Sequence, residues 1–471
     1  MVAVPQARPE HFDLIVIGSG PSGRRGAIQA AKLGKRVMVV EKNLRVGGVS
    51  VHTGTIPSKT LRETVMNLSG WRERGFYGRA YRVKNNIGAD DLKRRLDLTL
   101  NHEVEVLEHQ FTRNSVTTQQ GVATFTDAHT IEVTGHDGAV MQYTADHFLL
   151  SVGTRPHRPN DIPFDGHHVL DSDELLRIEA LPRSLCVIGA GVIGIEYATI
   201  FSALDIPVTL IDPREEILDF IDREIISELV HQLRDRGVQL HLGAKADEVL
   251  GPDASGCCTV RLDNGRVVRT AAVLYAAGRT GATSNLGLEH CGLETDRRGR
   301  VTVDPQTFQT AQPHIYAVGD VIGFPSLAST SMEQGRLAAC HAFDFQHGTP
   351  PQFFPYGIYA VPEISTCGLS EHEVREKKIP YEVGICRFRE TSRGQIMGIR
   401  NGMMKMLFRL DDRSLLGVHI IGEGATELIH IGQAVVHFGG TVDYFVQSTF
   451  NYPTLAEAYK ISALDAWNRM R

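Results

Sequence analysis

Two glycine-rich stretches carry the clearest chemistry in this 471-residue chain, Gly18-Ser19-Gly20-Pro21-Ser22-Gly23 and Gly189-Ala190-Gly191-Val192-Ile193-Gly194. Each follows a short apolar run, Asp13-Leu14-Ile15-Val16-Ile17 in the first case and Ser184-Leu185-Cys186-Val187-Ile188 in the second. Each precedes a helix-like stretch and a second apolar run that ends in an acid, Glu41 and Asp212 respectively. This is the order strand, glycine turn, helix, strand, acid that a dinucleotide site requires. The first glycine makes the tight turn, the second lets the backbone approach a pyrophosphate, and the third lets the helix pack closely on the strand. The acid then accepts hydrogen bonds from ribose hydroxyls. One such motif is weak evidence, but two in full context predict two bound dinucleotides.

The side chains around these motifs leave several choices open. Arg24 and Arg25 sit just inside the first helix, where cations oppose the helix dipole. They either face solvent, the preferred reading, or help to neutralise a pyrophosphate. Asp212 suits the ribose 2′-hydroxyl of NAD and would repel a 2′-phosphate. Arg214, two residues on, either pairs with such a phosphate or forms a surface pair with Glu215 or Glu216. The seven cysteines, at 186, 257, 258, 291, 340, 367 and 386, show no Cys-x-x-Cys or Cys-x4-Cys spacing, so reduced thiols are expected, the adjacent pair Cys257-Cys258 included.

The segment Gly47-Gly48-Val49-Ser50-Val51-His52-Thr53-Gly54-Thr55-Ile56-Pro57-Ser58-Lys59, together with both glycine motifs, Gly153 after Phe148-Leu149-Leu150-Ser151-Val152, Gly278-Arg279 after Val273-Leu274-Tyr275, and Gly319-Asp320, resembles the pyridine nucleotide:disulfide oxidoreductases. The resemblance covers the chain from Phe12 onward. In that family a Cys-x4-Cys disulfide relays electrons from reduced flavin to a thiol substrate, and here Ser50 and Thr55 stand at the two cysteine positions. A hydroxyl cannot cycle between thiol and disulfide, so electrons must leave by another route. The family's C-terminal His-Pro-Thr-x-x-Glu motif is also altered: Tyr452 replaces the acid-base histidine in Tyr452-Pro453-Thr454-Leu455-Ala456-Glu457. Glu457 is retained, with a hydrogen bond at a dimer interface as the stronger reading of its role.

Within the family the pattern is most similar to the soluble, energy-independent transhydrogenases, on Gly54-Thr55-Ile56-Pro57-Ser58-Lys59, Leu61-Arg62-Glu63, Gly278-Arg279-Thr280-Gly281 and the terminus around Asn451-Tyr452-Pro453. Ser50 departs even from members that keep one cysteine. The resemblance implies an α/β fold with two Rossmann-like dinucleotide-binding domains, for FAD and for NAD(P), and a C-terminal α+β dimerisation domain. The implied bounds are 1–155 with 280–348 for FAD, 156–279 for NAD(P) and 349–471 for dimerisation. It implies FAD as cofactor, NAD(H) and NADP(H) as substrates, and an Si-specific hydride transfer from NADPH to NAD through the flavin by ping-pong kinetics.

The implied FAD residues are Gly18, Gly20, Pro21, Ser22, Gly23, Glu41, Lys42, Gly48, Val49, Ser50, Gly54, Thr55, Lys59, Ala123, Gly153, Asp320, Leu327, Ala328 and Ser329. Asp320 would accept a hydrogen bond from the ribityl chain. A helix beginning near Leu327-Ala328-Ser329 would aim its N–H groups at the pyrimidine end of the flavin. The implied nicotinamide-nucleotide residues are Gly189, Gly191, Val192, Ile193, Gly194, Glu196, Asp212, Arg214 and Gly278, with Val192 at the place of a tyrosine gate. Lys59, paired with Glu196, would place a cation near the reactive nitrogen of the flavin; the two are the implied catalytic residues. No metal site is assigned.

Composition sets the outer limits. Net charge is −6 with no basic block, which argues against a nucleic-acid partner. The apolar runs are strand-sized, so no membrane span is expected. Residues Met1 to Glu10 read as a polar tail without an apolar signal core, which points to the cytoplasm. The expected partners are small nucleotides and a second copy of the chain, as a homodimer or higher homo-oligomer. Two other functions fit the same residues: an NAD(P)H diaphorase or quinone reductase, and a redox-silent flavoprotein serving as a binding module.

Overall fold

The structure is a computed structural model, and it describes residues 9–346 and 348–470. The polar segment before residue 9 lies outside the described residues. Glu10, placed in that tail by its polarity, instead begins the first strand, Glu10–Ile17. Its backbone pairs in the sheet whatever its side chain does, with Glu10 in register with Tyr143.

The chain divides into two compact units. The first comprises residues 1–60, 95–157 and 279–351; the second comprises 61–94, 158–278 and 352–471. The first unit is built on a seven-stranded sheet. Thr117–Gln120, Val37–Glu41, Glu10–Ile17 and Val140–Leu150 run parallel, Ile315–Ala317 joins the last of these, and Thr130–Thr134 and Val122–Asp127 continue antiparallel. Both faces are covered, and strand alternation distributes the apolar side chains between them. Ile15, Ile17, Met38 and Val40 enter one core with Phe125, Phe148 and Ile131. Leu14, Val16, Val37 and Val39 enter the other with Ala27, Phe111 and Leu337.

Two helices lie against this second face, Pro21–Lys32 and Ala328–Ala342. They approach each other through glycines. A Cβ on Gly335 would stand 2.0 Å from the Ser22 carbonyl oxygen, and one on Gly26 would stand 3.1 Å from the Gly335 oxygen. Only glycine admits that spacing, and it brings two helix N-termini to the same end of the sheet.

The second unit repeats the theme with a five-stranded parallel sheet, in the order Gln239–Leu242, Val208–Asp212, Leu185–Ile188, Ala272–Tyr275, Val169–Asp171. A three-stranded antiparallel sheet, Ala246–Leu250, Cys258–Leu262 and Val267–Thr270, shares a core with this sheet that includes Cys186, Cys258 and Val260. The C-terminal part is a five-stranded antiparallel sheet, Tyr356–Ile358, Ile364–Gly368, Leu415–Ile421, Met403–Arg409 and Tyr381–Arg387, with helices Ala425–His437 and Glu457–Arg469 packed on it. The α/β class with two Rossmann-like sheets and a C-terminal α+β part is therefore as expected. No helix among the described residues is long and apolar enough to cross a membrane.

Candidate nucleotide sites

The first glycine turn is held from beneath by Glu41. Its Oε2 accepts hydrogen bonds from the Ser19 N–H at 3.1 Å and the Ser19 hydroxyl at 2.5 Å, and its Oε1 accepts from Asn43 N at 2.9 Å and Nδ2 at 3.0 Å. The second turn repeats the device with a shorter acid: Asp212 Oδ2 accepts from the Ala190 N–H at 2.6 Å. In both units the third glycine meets the first. A Cβ on Gly23 would lie 2.0 Å from the Gly18 oxygen, and one on Gly194 would lie 1.8 Å from the Gly189 oxygen. Gly20 and Gly191, by contrast, face open space, as a turn that admits a pyrophosphate needs.

A cavity of about 300 Å³ opens in the first unit above this turn. Of the expected flavin residues, Gly18, Gly20, Pro21, Ser22, Glu41, Lys42, Gly48, Val49, Ser50, Thr55, Ala123, Gly153, Asp320 and Ala328 line it. Gly23, Gly54, Lys59, Leu327 and Ser329 are not in the lining: Gly23 and Gly54 pack against backbone, and Leu327 is the residue preceding the helix Ala328–Ala342. Sequence reasoning missed Asn43, Thr154, Arg155, Ser284, Asn285 and Ser331, among others, on the cavity wall. Thr154 and Arg155 belong to the segment that follows Gly153 and were within reach of that signal. Ser284 and Asn285 carry no motif and arrive only by the return of the chain.

The wall combines helix N-termini that favour negative charge with polar side chains that suit hydroxyls. The helix Pro21–Lys32 starts at Gly20 without a side-chain cap, and Ala328–Ala342 starts at Leu327 without one, so their first N–H groups are left for a ligand. Asp320 lines the cavity with one long hydrogen bond, from the Thr154 hydroxyl at 3.4 Å. Burial raises its pKa despite the opposing charge of Arg279. Ser50 and Thr55 both reach the wall, and Ser50 Oγ donates to the Gly47 carbonyl at 3.2 Å.

No cysteine lines the cavity. All seven are free, as the spacing predicts, and six are buried. Burial pushes Cys186 and Cys386 up to about 12 and Cys258, Cys291 and Cys367 up to about 11, far from the range of a reactive thiolate.

Two side chains depart from their readings. Arg24 does not face solvent: its guanidinium is buried, with Nη1 3.8 Å from Glu103 Oε1, while Arg25 is exposed. The helix Ala89–Arg113, which supplies Glu103, covers this side of the turn. Arg214 pairs with neither Glu215 nor Glu216. It forks onto Asp212, Nε to Oδ1 at 2.9 Å and Nη2 to Oδ2 at 3.0 Å. Two residues beyond the end of a strand, the chain turns back far enough for this closer acid to win.

The remaining expected residues are placed as follows. Val192 and Ile193 open the helix Val192–Ala203, and Glu196 is buried on it, accepting from the Tyr359 N–H at 2.9 Å. Gly278 has a positive φ of 114° and faces open space. Lys59 is half-buried on the helix Thr55–Leu68, with Nζ 3.2 Å from Ser58 Oγ. Tyr452 is 72% exposed and shares a 2.6 Å hydrogen bond with Ser392 Oγ. Glu457 Oε2 is buried without a hydrogen-bond partner among the described residues. No cluster of metal-ligating side chains occurs among the described residues.

The chain is 49% identical to the soluble pyridine nucleotide transhydrogenase of Mycobacterium bovis and 41% identical to that of Salmonella paratyphi B, in each case over 98% of both chains. The crystal structure of LpdA from Mycobacterium tuberculosis superposes with a TM-score of 0.88 at 26% identity, over 97% of this chain and 99% of that one. Residues 12–335 match the pyridine nucleotide-disulphide oxidoreductase family and residues 354–463 match its dimerisation domain. This chain therefore belongs to the pyridine nucleotide-disulphide oxidoreductases.

Proposed function

We propose that the chain is an FAD-dependent soluble transhydrogenase of the cytoplasm, passing a hydride from NADPH to NAD by a ping-pong sequence and without a redox-active disulfide. The observation that carries this reading is the cavity wall itself. Ser50 and Thr55 stand where a dithiol would have to be, no cysteine lines the cavity, and the buried thiols have high pKa values. The names of the relatives in Mycobacterium and Salmonella point the same way.

The residues present fit FAD. The Gly18–Gly23 turn and the uncapped helix behind it suit the pyrophosphate, and Glu41 beside them suits the adenosine ribose. Asp320, buried and held by one long hydrogen bond, suits a ribityl hydroxyl. When bound, the flavin supplies a two-electron acceptor that takes hydride from one nicotinamide and returns it to another. The N–H groups of the helix Ala328–Ala342 would favour negative charge at its pyrimidine end, and Lys59 would add a cation. Gly189, Gly191 and the helix start at Val192 would hold the nicotinamide nucleotide in turn. A single such site for both nucleotides requires the first product to leave before the second substrate binds, which is the basis of the ping-pong assignment. The family's dimerisation domain supports a homodimer.

Anaerobic reduction of thio-NAD by NADPH, followed by absorbance with flavin-loaded protein, tests this directly. Rapid turnover with parallel double-reciprocal lines is expected. If NADPH bleaches the flavin but thio-NAD does not reoxidise it, the chain is a diaphorase with another acceptor. No bleaching would indicate a redox-silent flavoprotein, and appreciable thiol formation from lipoamide or glutathione disulfide would refute the disulfide-free route.

A further inference from the structure

The second unit holds a group of arginines that the transhydrogenase reading does not use. Trp71 opens a short 3₁₀ turn, Trp71–Glu73, and the chain continues through Arg74, Arg79 and Arg82. The Arg74 guanidinium carbon lies 5.1 Å from the centre of the Trp71 ring, and that of Arg236 lies 4.5 Å from it. Two cations thus share one aromatic ring. Arg236 follows the helix Arg223–Asp235, so separate parts of the chain build the cluster.

Its charges are poorly balanced. Arg74 reaches Asp205, Nη1 to Oδ1 at 3.3 Å and Nη2 to Oδ2 at 3.2 Å, and Arg82 shares the same Asp205 carboxylate. Among the described residues Arg79 reaches the Asp235 backbone oxygen, at 3.1 Å, and no carboxylate. The Arg236 guanidinium makes no ion pair among the described residues, and its Nη1 is buried without an acceptor, as is Arg74 Nε. Of these four arginines, Arg74 and Arg82 share one half-exposed carboxylate, and Arg79 and Arg236 pair with no carboxylate among the described residues. Burial, reinforced by Arg74, pushes the Arg236 guanidinium down to about 9, and burial also lowers Arg74. Buried donors without acceptors and like charges gathered on one ring are both unfavourable, and both are relieved by one added anion.

We propose that Arg74, Arg82 and Arg236 around Trp71 form a binding site for a small phosphate-bearing anion. Guanidinium forks match the oxygens of a phosphate in pairs, and the Trp71 ring holds two of them beside it. The half-buried setting weakens screening by salt relative to a fully exposed cluster. Arg79 is exposed and Arg82 half-buried, and both can steer an anion inwards. The site uses none of the residues assigned to flavin or nicotinamide nucleotide.

Thermal unfolding of the full-length, flavin-loaded protein tests the proposal, with inorganic phosphate titrated against sodium chloride at matched ionic strength. A saturable rise in Tm with phosphate, absent with chloride, is expected. Arg236→Leu should abolish the rise. Arg82→Gln, at a more open position, should shift its midpoint to at least about tenfold higher phosphate, a loss of about 1.4 kcal/mol. Should Arg236→Leu fail to fold, Arg82→Gln decides alone. An equal rise in chloride, or an unchanged phosphate midpoint in Arg82→Gln, would overturn the assignment, the latter placing the anion at a nucleotide site instead. A parallel titration with glycerol 3-phosphate separates sources: a lower midpoint than inorganic phosphate identifies an organic phosphate as the natural occupant, and an equal or higher one identifies the free anion.

Discussion

Arg214 lays its guanidinium along the carboxylate of Asp212, two residues before it, and so occupies both oxygens of the acid that ends the second strand of the second Rossmann unit. Burial alone would raise the Asp212 pKa, but the Arg214 side chain and the N–H groups of Arg214 and Ala190 outweigh it and hold the pKa below the usual carboxylate value. An acid neutralised in this way repels a 2′-phosphate less than a bare one. On the proposed reading, Arg214 would exchange this pairing for the 2′-phosphate when NADPH binds. Arg214→Ala should therefore raise KM for NADPH by about tenfold or more, the equivalent of about 1.4 kcal/mol, with a smaller effect on NADH. Asp212→Ala should shift preference towards NADPH. Steady-state KM values for both nucleotides check the pair; equal losses for both would contradict the ribose assignment.

Lys59→Ala should slow flavin reduction by NADPH at least about tenfold while leaving flavin bound, because the proposed role of Lys59 is a charge near the reactive nitrogen and its side chain is not part of the cavity lining. Stopped-flow bleaching of the flavin under anaerobic conditions measures this. An unchanged rate would remove Lys59 from the mechanism.

The approach of the helices Pro21–Lys32 and Ala328–Ala342 depends on Gly335, where an added Cβ would stand 2.0 Å from the Ser22 oxygen. Gly335→Val should push the two N-termini apart and lower flavin occupancy of the purified protein. Asp320→Ala should also lower occupancy, but without the loss of Tm that a displaced helix brings to the flavin-free protein. Flavin-to-protein absorbance ratios and thermal unfolding of both variants distinguish the two effects.

Lys405 is buried in the strand Met403–Arg409 with its ammonium 3.0 Å from Asp222, 2.7 Å from Glu224 and 2.5 Å from Glu371. Asp222 also caps the helix Arg223–Asp235, so this cluster joins the nucleotide-type sheet's helix to the antiparallel sheet within the second unit. Lys405→Met leaves the carboxylates facing one another and should cost about 3–5 kcal/mol in chemical denaturation. The pH dependence follows from the shifts. Burial works against the charge of Asp222 and Glu371, but neighbouring charges and hydrogen bonds depress both pKa values. Their contribution is present above the unfolded carboxylate range and is lost as pH falls through the depressed values. Lys405 is raised by its three partners against the effect of burial, so its contribution is present below its unfolded value and is lost as pH rises through the raised one. The cluster should thus stabilise fully between about pH 5 and pH 10, and the difference between wild type and Lys405→Met should shrink outside that window.

The amino-acid sequence by itself determined both Rossmann units, because the requirements are local. A glycine at 23 or 194 is forced by the carbonyl it must pass, and the acids at 41 and 212 follow within one strand, helix, strand unit. It likewise determined that no dithiol sits at Ser50 and Thr55, since that depends on residue identity alone. Tertiary structure decided the partners of the charged side chains. Arg24 is covered by a helix some eighty residues on, and Arg214 turned to the acid behind it instead of those ahead. Within the first unit Ser284 and Asn285 reach the cavity wall, and within the second Arg236 reaches Trp71, only when distant segments fold back. Glycine spacing is read from neighbours along the chain, whereas a long cationic side chain reaches several acids and takes the one that packing brings within bonding distance.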